Sequence, residues 1–96
     1  MKYYHRTSVS PDDVIAAAPR FFAGKLVPTV EENRRRRFSG TVGELTVTVR
    51  AEGGHYTLVT IETNQPAESE IDRLGKRFLG TIHTMAKPGH ELRGSY

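Results

Sequence analysis

Two runs in the middle of the chain put apolar side chains at every second position. Phe38, Gly40 and Val42 form the first, and Leu45, Val47, Val49 and Ala51 the second, with Gly43-Glu44 between them. A period of two is the signature of a strand with one buried face. A chain built around it must make a sheet that covers a core on one side only. Gly43-Glu44 suits a two-residue turn with glycine at the first central position. That turn pairs Val42 with Leu45, Gly40 with Val47, Phe38 with Val49 and Arg36 with Ala51, which gathers the apolar residues on one face. The other face then pairs Thr41 with Thr46, Ser39 with Thr48 and Arg37 with Arg50.

The next strand, HYTLVTIET (55–63), follows the turn EGGH. A three-residue Glu52-Gly53-Gly54 loop with a bulge sends Val59 and Ile61 to the core and Tyr56 and Leu58 outward. A two-residue Gly-Gly turn reverses this and drives Glu62 toward the core, so the first phase is preferred. Upstream, YYHRTSV (3–9) reads as a first strand. Ser10 as N-cap, Pro11 at N1 and Asp13 at N3 then start a helix with the apolar stripe Val14, Ile15, Ala18, Phe21 and Phe22. Pro19 predicts a kink or an early end to it, and Gly24 a stop. Residues 24–33 read as a connection, partly extended.

A second helix is expected from the segment 64–70, with Pro66 near its start and Glu68 and Glu70 in its first turn. Ile71, Leu74, Phe78, Ile82 and Met85 recur at spacings of three and four. Gly75 and Gly80 weaken its propensity but allow close approach to the sheet. Pro88 and Gly89 end it, and 90–96 is a polar tail. The expected fold class is α+β: a two-layer sandwich, β-α-β-β-β-α, with two helices on one face of a largely antiparallel sheet. Residues 1–89 form a single domain.

Ninety-six residues allow one small core and little room for an internal cavity. No apolar run reaches membrane-spanning length, and the first ten residues lack the apolar stretch of a secretory signal. Without cysteine there is no disulfide framework and no thiolate metal site. A cytoplasmic protein is the expectation. His5, His55, His83 and His90 are scattered without metal-ligand spacing, and no nucleophile–base set is placed by any motif. No metal, no cofactor and no enzyme activity are therefore expected.

Net charge is +3, and ten of the fourteen basic residues are arginine, the side chain suited to bidentate phosphate contacts. Four run together at 34–37. In the preferred phase Arg37, Arg50 and Tyr56 form one row on the face away from the helices, with Arg35 on the same face. Ser39, Thr48 and Leu58 form the next row, and Thr41, Thr46 and Thr60 the third. Basic residues beside an aromatic on an open sheet can hold a nucleic-acid backbone and stack a base. Nucleic acid or another polyanion is the expected partner, with Arg35, Arg37 and Arg50 on phosphates and Tyr56 stacking. Arg34 and Arg36 fall in the core-side phase. The same face, with Tyr56 and Leu58, also suits a homodimer or a protein partner.

TSVSPDDVIAAA (7–18), SGTVGELTVTVRAEGGHYTLVTIET (39–63) and EIDRLGKRFLGTIHTMA (70–86) resemble pieces of the SRPBCC superfamily, the helix-grip fold, in reduced form. That resemblance implies a hydrophobic ligand between sheet and final helix, lined by Phe21, Phe38, Val49, Phe78 and Ile82. Read from the residues alone, these are core positions. The element order is also similar to half of a TATA-binding-protein-like fold, which implies an exposed sheet face for nucleic acid.

Overall fold

One-sided burial organises the molecule. A computed structural model describes residues 1–86 as β1 (Lys2–Thr7), α1 (Pro11–Phe22), β2 (Val27–Glu31), β3 (Arg35–Gly40), β4 (Gly43–Glu52), β5 (Tyr56–Thr63) and α2 (Glu70–Ala86). The five strands form one antiparallel sheet in the order β1-β5-β4-β3-β2. Leu45, Val47, Val49, Val59 and Ile61 are buried on one face. Each such side chain contributes about 2 kcal/mol of transfer free energy. Helix α1 packs on β3 and β4, and α2 on β1, β5 and β4. The result is the two-layer α+β sandwich with both helices on one side. The sheet has one strand more than the sequence pattern indicates, because the connection at 24–33 contains β2. Pro28 and a bulge between Pro28 and Val30 interrupt that edge strand. The expected helix end at Pro88-Gly89 and the polar tail at 90–96 lie outside the described residues.

Helix α1 starts as its sequence demands. The Asp13 N–H donates to Ser10 Oγ at 3.2 Å and Pro11 opens the first turn. Of the kink or early end expected at Pro19, the early end does not occur: the helix continues to Phe22. Proline withholds one N–H near the C-terminus, but Phe22 is fully buried among Phe21, Phe38 and Phe78, with ring centroids 4.9 to 5.3 Å apart. That packing outweighs one missing hydrogen bond. Gly24, at φ +78°, turns the chain out of the helix.

Helix α2 begins later than the proline and acidic signals suggest. Ser69 precedes it and accepts from the Asp72 N–H at 3.4 Å, so Asp72 and not Glu68 stands in the first turn. The stripe Ile71, Leu74, Phe78 and Ile82 is buried. The two glycines of this helix differ in kind. A methyl group on Gly75 would stand 2.8 Å from Ile61 Cγ2 and 3.3 Å from Leu45 Cδ1, whereas nothing lies within 4 Å of the same position on Gly80.

This contrast gives a paired test. Helix propensity alone favours alanine over glycine by about 1 kcal/mol. Gly80→Ala is expected to raise the free energy of unfolding by up to about that amount. Gly75→Ala is expected to lower it by about 1–3 kcal/mol through overpacking against Ile61. Urea titration of the two variants checks both signs.

Candidate nucleic-acid interface

The four consecutive arginines divide between the two faces. Arg34 and Arg36 turn to the helix side, as their phase predicts. Arg34 pairs with Asp12 of α1 at 2.7 Å, and Arg36 donates to the Glu32 carbonyl at 2.9 Å and reaches Glu31 at 3.8 Å. Arg35 and Arg37 share the opposite, open face. Two residues of strand separate them, about 6.6 Å. Arg35 lies 3.6 Å from Glu32. Arg37 donates to Thr46 Oγ1 at 3.3 Å and has no ion pair among the described residues.

The face assigned to each hairpin residue is as expected, but the register is not. The turn is Thr41-Val42, so Phe38 opposes Leu45 and Arg37 opposes Thr46. Arg37 and Arg50 are therefore not a cross-strand pair. Gly43 is not the turn centre; it takes φ +133° and makes room for Asn64, whose Oδ1 accepts from the Glu44 N–H at 2.8 Å. A Cβ on Gly43 would approach that oxygen to 2.7 Å. The following loop is Gly53-Gly54-His55, with positive φ at Gly54 and His55. Val59 and Ile61 face the core, and Tyr56 and Leu58 face outward, as expected. Arg50 opposes Leu58 and Glu52 opposes Tyr56, so the row Arg37–Arg50–Tyr56 does not form.

The rows that do form run across β3, β4, β5 and β1. Arg37, Thr46, Glu62 and Lys2 make the first; Arg35, Thr48, Thr60 and Tyr4 the second; Arg50, Leu58 and Arg6 the third. All four expected site residues, Arg35, Arg37, Arg50 and Tyr56, thus belong to the open face. Tyr56 stands at its far end beside Gly54, away from Arg37. The sequence reading missed Lys2, Tyr4 and Arg6. Their alternation in KYYHRT is visible in the sequence, but the neighbour of β1 is not. Tyr4 is 62% exposed and Tyr56 48%. Five cations and four carboxylates (Glu32 beside Arg35, with Glu44, Glu52 and Glu62) share this face. Arg6 and Arg50 both reach Glu52, at 3.0 and 3.4 Å.

Two shallow depressions mark the face. One, about 420 Å³, is bounded by Lys2, Tyr4, Arg50, Leu58, Thr60 and Glu62. The other, about 270 Å³, lies beside it between Arg35, Arg37, Thr46 and Glu62. A third basic surface, about 590 Å³, lies on α2 around Arg73, Lys76 and Arg77, without an aromatic side chain. The residues of the helix-grip expectation lie in or against the core, and Val49 also borders the depression beside Tyr4. Phe38, Val49, Phe78 and Ile82 are buried, and Phe21 packs edge-on against Phe22 and Phe78. Among the described residues no group of three or more metal-ligating side chains occurs, and no helix is long and apolar enough to cross a membrane. No protein-family model matches the chain, and no curated protein matches it.

The position of Tyr4 depends on its neighbour. Tyr3 points to the helix side, and its hydroxyl donates to the buried Asp72 carboxylate at 2.5 Å. Asp72 also accepts from the Glu68 N–H at 2.9 Å and lies 3.5 Å from Lys76 Nζ. This cluster ties edge strand β1 to α2, and with it fixes which way Lys2, Tyr4 and Arg6 face. The Tyr3 hydrogen bond, ahead of the Glu68 N–H and Lys76, holds the Asp72 carboxyl below the usual carboxylate range despite burial. The same hydrogen bond raises the Tyr3 phenol. On the same side of β1, His5 lies 6.0 Å from His83, and burial together with that neighbour lowers its imidazole pKa.

The sign of the pH dependence follows. Asp72 contributes its full stabilisation above the unfolded carboxylate pKa of about 4, and loses it as pH falls through its lower folded value. Tyr3 contributes fully below about pH 10 and loses its share as pH rises through the raised value. Asp72→Asn is expected to melt at a lower temperature than wild type at pH 7. The gap should narrow as the pH is taken below 4. Thermal melts across pH 2–7 read this directly; a gap independent of pH would contradict it.

Proposed function

We propose that the open face binds single-stranded nucleic acid. The observation that carries this reading is the pair Arg35 and Arg37 facing one way on β3, with Arg37 free of any carboxylate among the described residues. Two same-face arginines along a strand suit successive phosphates of an extended backbone. Arg6 and Arg50 flank the third row. Their ion pairs with Glu52 are solvent-exposed, worth about 0–1 kcal/mol, and exchange readily for a phosphate. Tyr4, with Leu58 beside it, offers a surface on which an unstacked base can rest.

The four carboxylates argue against a partner read by charge alone. A uniform polyanion or a closed duplex meets Glu32, Glu44, Glu52 and Glu62 as well as the cations, and leaves Tyr4 and Leu58 unused. Stacking two copies through this face would bring together two surfaces that each carry more cations than carboxylates. Single strands gain both the phosphate contacts and the base surface.

Fluorescence anisotropy with labelled oligonucleotides tests the proposal. A single strand is expected to bind about tenfold more tightly than a duplex of the same length, the size of one base–aromatic stack. Arg35→Ala/Arg37→Ala, checked for folding by circular dichroism, should weaken binding and reduce the slope of log K against log salt by about 1.4. Equal affinity for duplex and single strand, or binding indifferent to salt, would contradict it.

A further inference from the structure

From the depression between β1, β5 and β4 we infer a base-reading site, with Glu62 selecting guanine. This rests on the single-strand reading and says what that strand must carry. Tyr4 lines it from β1 with Lys2 Nζ 5.8 Å from its ring centroid, Leu58 and Thr60 line it from β5, and Arg50 from β4. Glu62 is exposed, opposes Lys2 across the β1–β5 pair, and makes no ion pair among the described residues. It borders both depressions of the face, the one beside Tyr4 and the one beside Arg35 and Arg37.

An unpaired carboxylate on a face meant for phosphates weakens binding unless it meets a donor. Its place in the rows separates it from the phosphates. Thr46 lies between Glu62 and Arg37, so two strand spacings, about 9.6 Å, divide their backbones, and the Arg37 guanidinium is held on Thr46 Oγ1 at 3.3 Å. A phosphate on Arg37 and a base beside Tyr4 can therefore be held together, with Glu62 turned to the base.

Donor geometry picks the base. A carboxylate accepts through two oxygens and donates nothing. Guanine presents two adjacent donors on its Watson–Crick edge, N1–H and the 2-amino group. Adenine sets its 6-amino donor beside the N1 acceptor, and cytosine sets its 4-amino donor beside N3. Uracil and thymine set one N–H between two carbonyls. Only guanine matches both oxygens without opposing a lone pair to one of them. Lys2 and Arg50 leave cations for the flanking phosphates.

The test uses the whole chain and labelled hexamers of uridine carrying one central guanine, adenine, cytosine or inosine. The guanine hexamer is expected to bind about tenfold more tightly than the others, the discrimination of one bidentate pair. Inosine, which lacks only the 2-amino group, should lose most of that preference, a readout that needs no protein variant. Glu62→Gln should lose it too, while keeping or improving salt-dependent affinity for all-uridine. Equal, salt-dependent binding of all hexamers by wild type would overturn the guanine site and leave single-strand binding standing. A preference that survives in Glu62→Gln would overturn the role of Glu62. Failure to bind any hexamer at low salt would overturn both.

Discussion

Burial on a single face of the sheet is the constraint from which the rest follows. Leu45, Val47, Val49, Val59 and Ile61 need covering, and two helices supply it from one side. The close approach of α2 at Gly75 and the aromatic packing of Phe21, Phe22, Phe38 and Phe78 complete the core. Both helices are spent on that face. The alternate residues of the same strands, Arg37, Thr46, Thr48, Arg50, Leu58 and Thr60, are left facing away from the core by the same geometry. An open sheet face is thus a by-product of how this chain buries its core.

What was legible in the sequence was the face of each residue in β3, β4 and β5, and what was not was its row. Period-two alternation assigns sides, and a slip of two residues leaves every side unchanged. The glycine at 43 pointed to a turn centred on it, yet it serves the approach of Asn64, a contact twenty residues away that no local pattern contains. The turn moved to Thr41-Val42, Phe38 moved from Val49 to Leu45, and the arginine pair dissolved while both arginines kept their face. β2 was hidden because Pro28 and a bulge break its alternation. Lys2, Tyr4 and Arg6 went unassigned because nothing near them tells that β1 pairs with β5 and not with β2.

The same division applies to charge. The arginine run reads as one basic block in sequence, but strand geometry sends alternate members to different tasks. Arg34 and Arg36 join α1 and the 31–32 corner to the sheet. Arg35 and Arg37 stay on the open face, Arg35 beside Glu32 and Arg37 on Thr46 Oγ1. Asp72 likewise looks like an ordinary helix-start residue, yet it is a buried anchor for Tyr3 and so for the edge strand. Local pattern explains its residue type; only the fold explains its burial.

The central claim is that the sheet face opposite the helices is the contact surface. Two-dimensional amide NMR of the labelled protein, titrated with a single-stranded hexamer, tests it most directly. The account predicts shifts concentrated at Lys2, Tyr4, Arg35, Arg37, Thr48, Arg50, Leu58 and Thr60, with the outer side of α2 unmoved. Shifts centred on Arg73, Lys76 and Arg77, or none at saturating oligonucleotide, would contradict it.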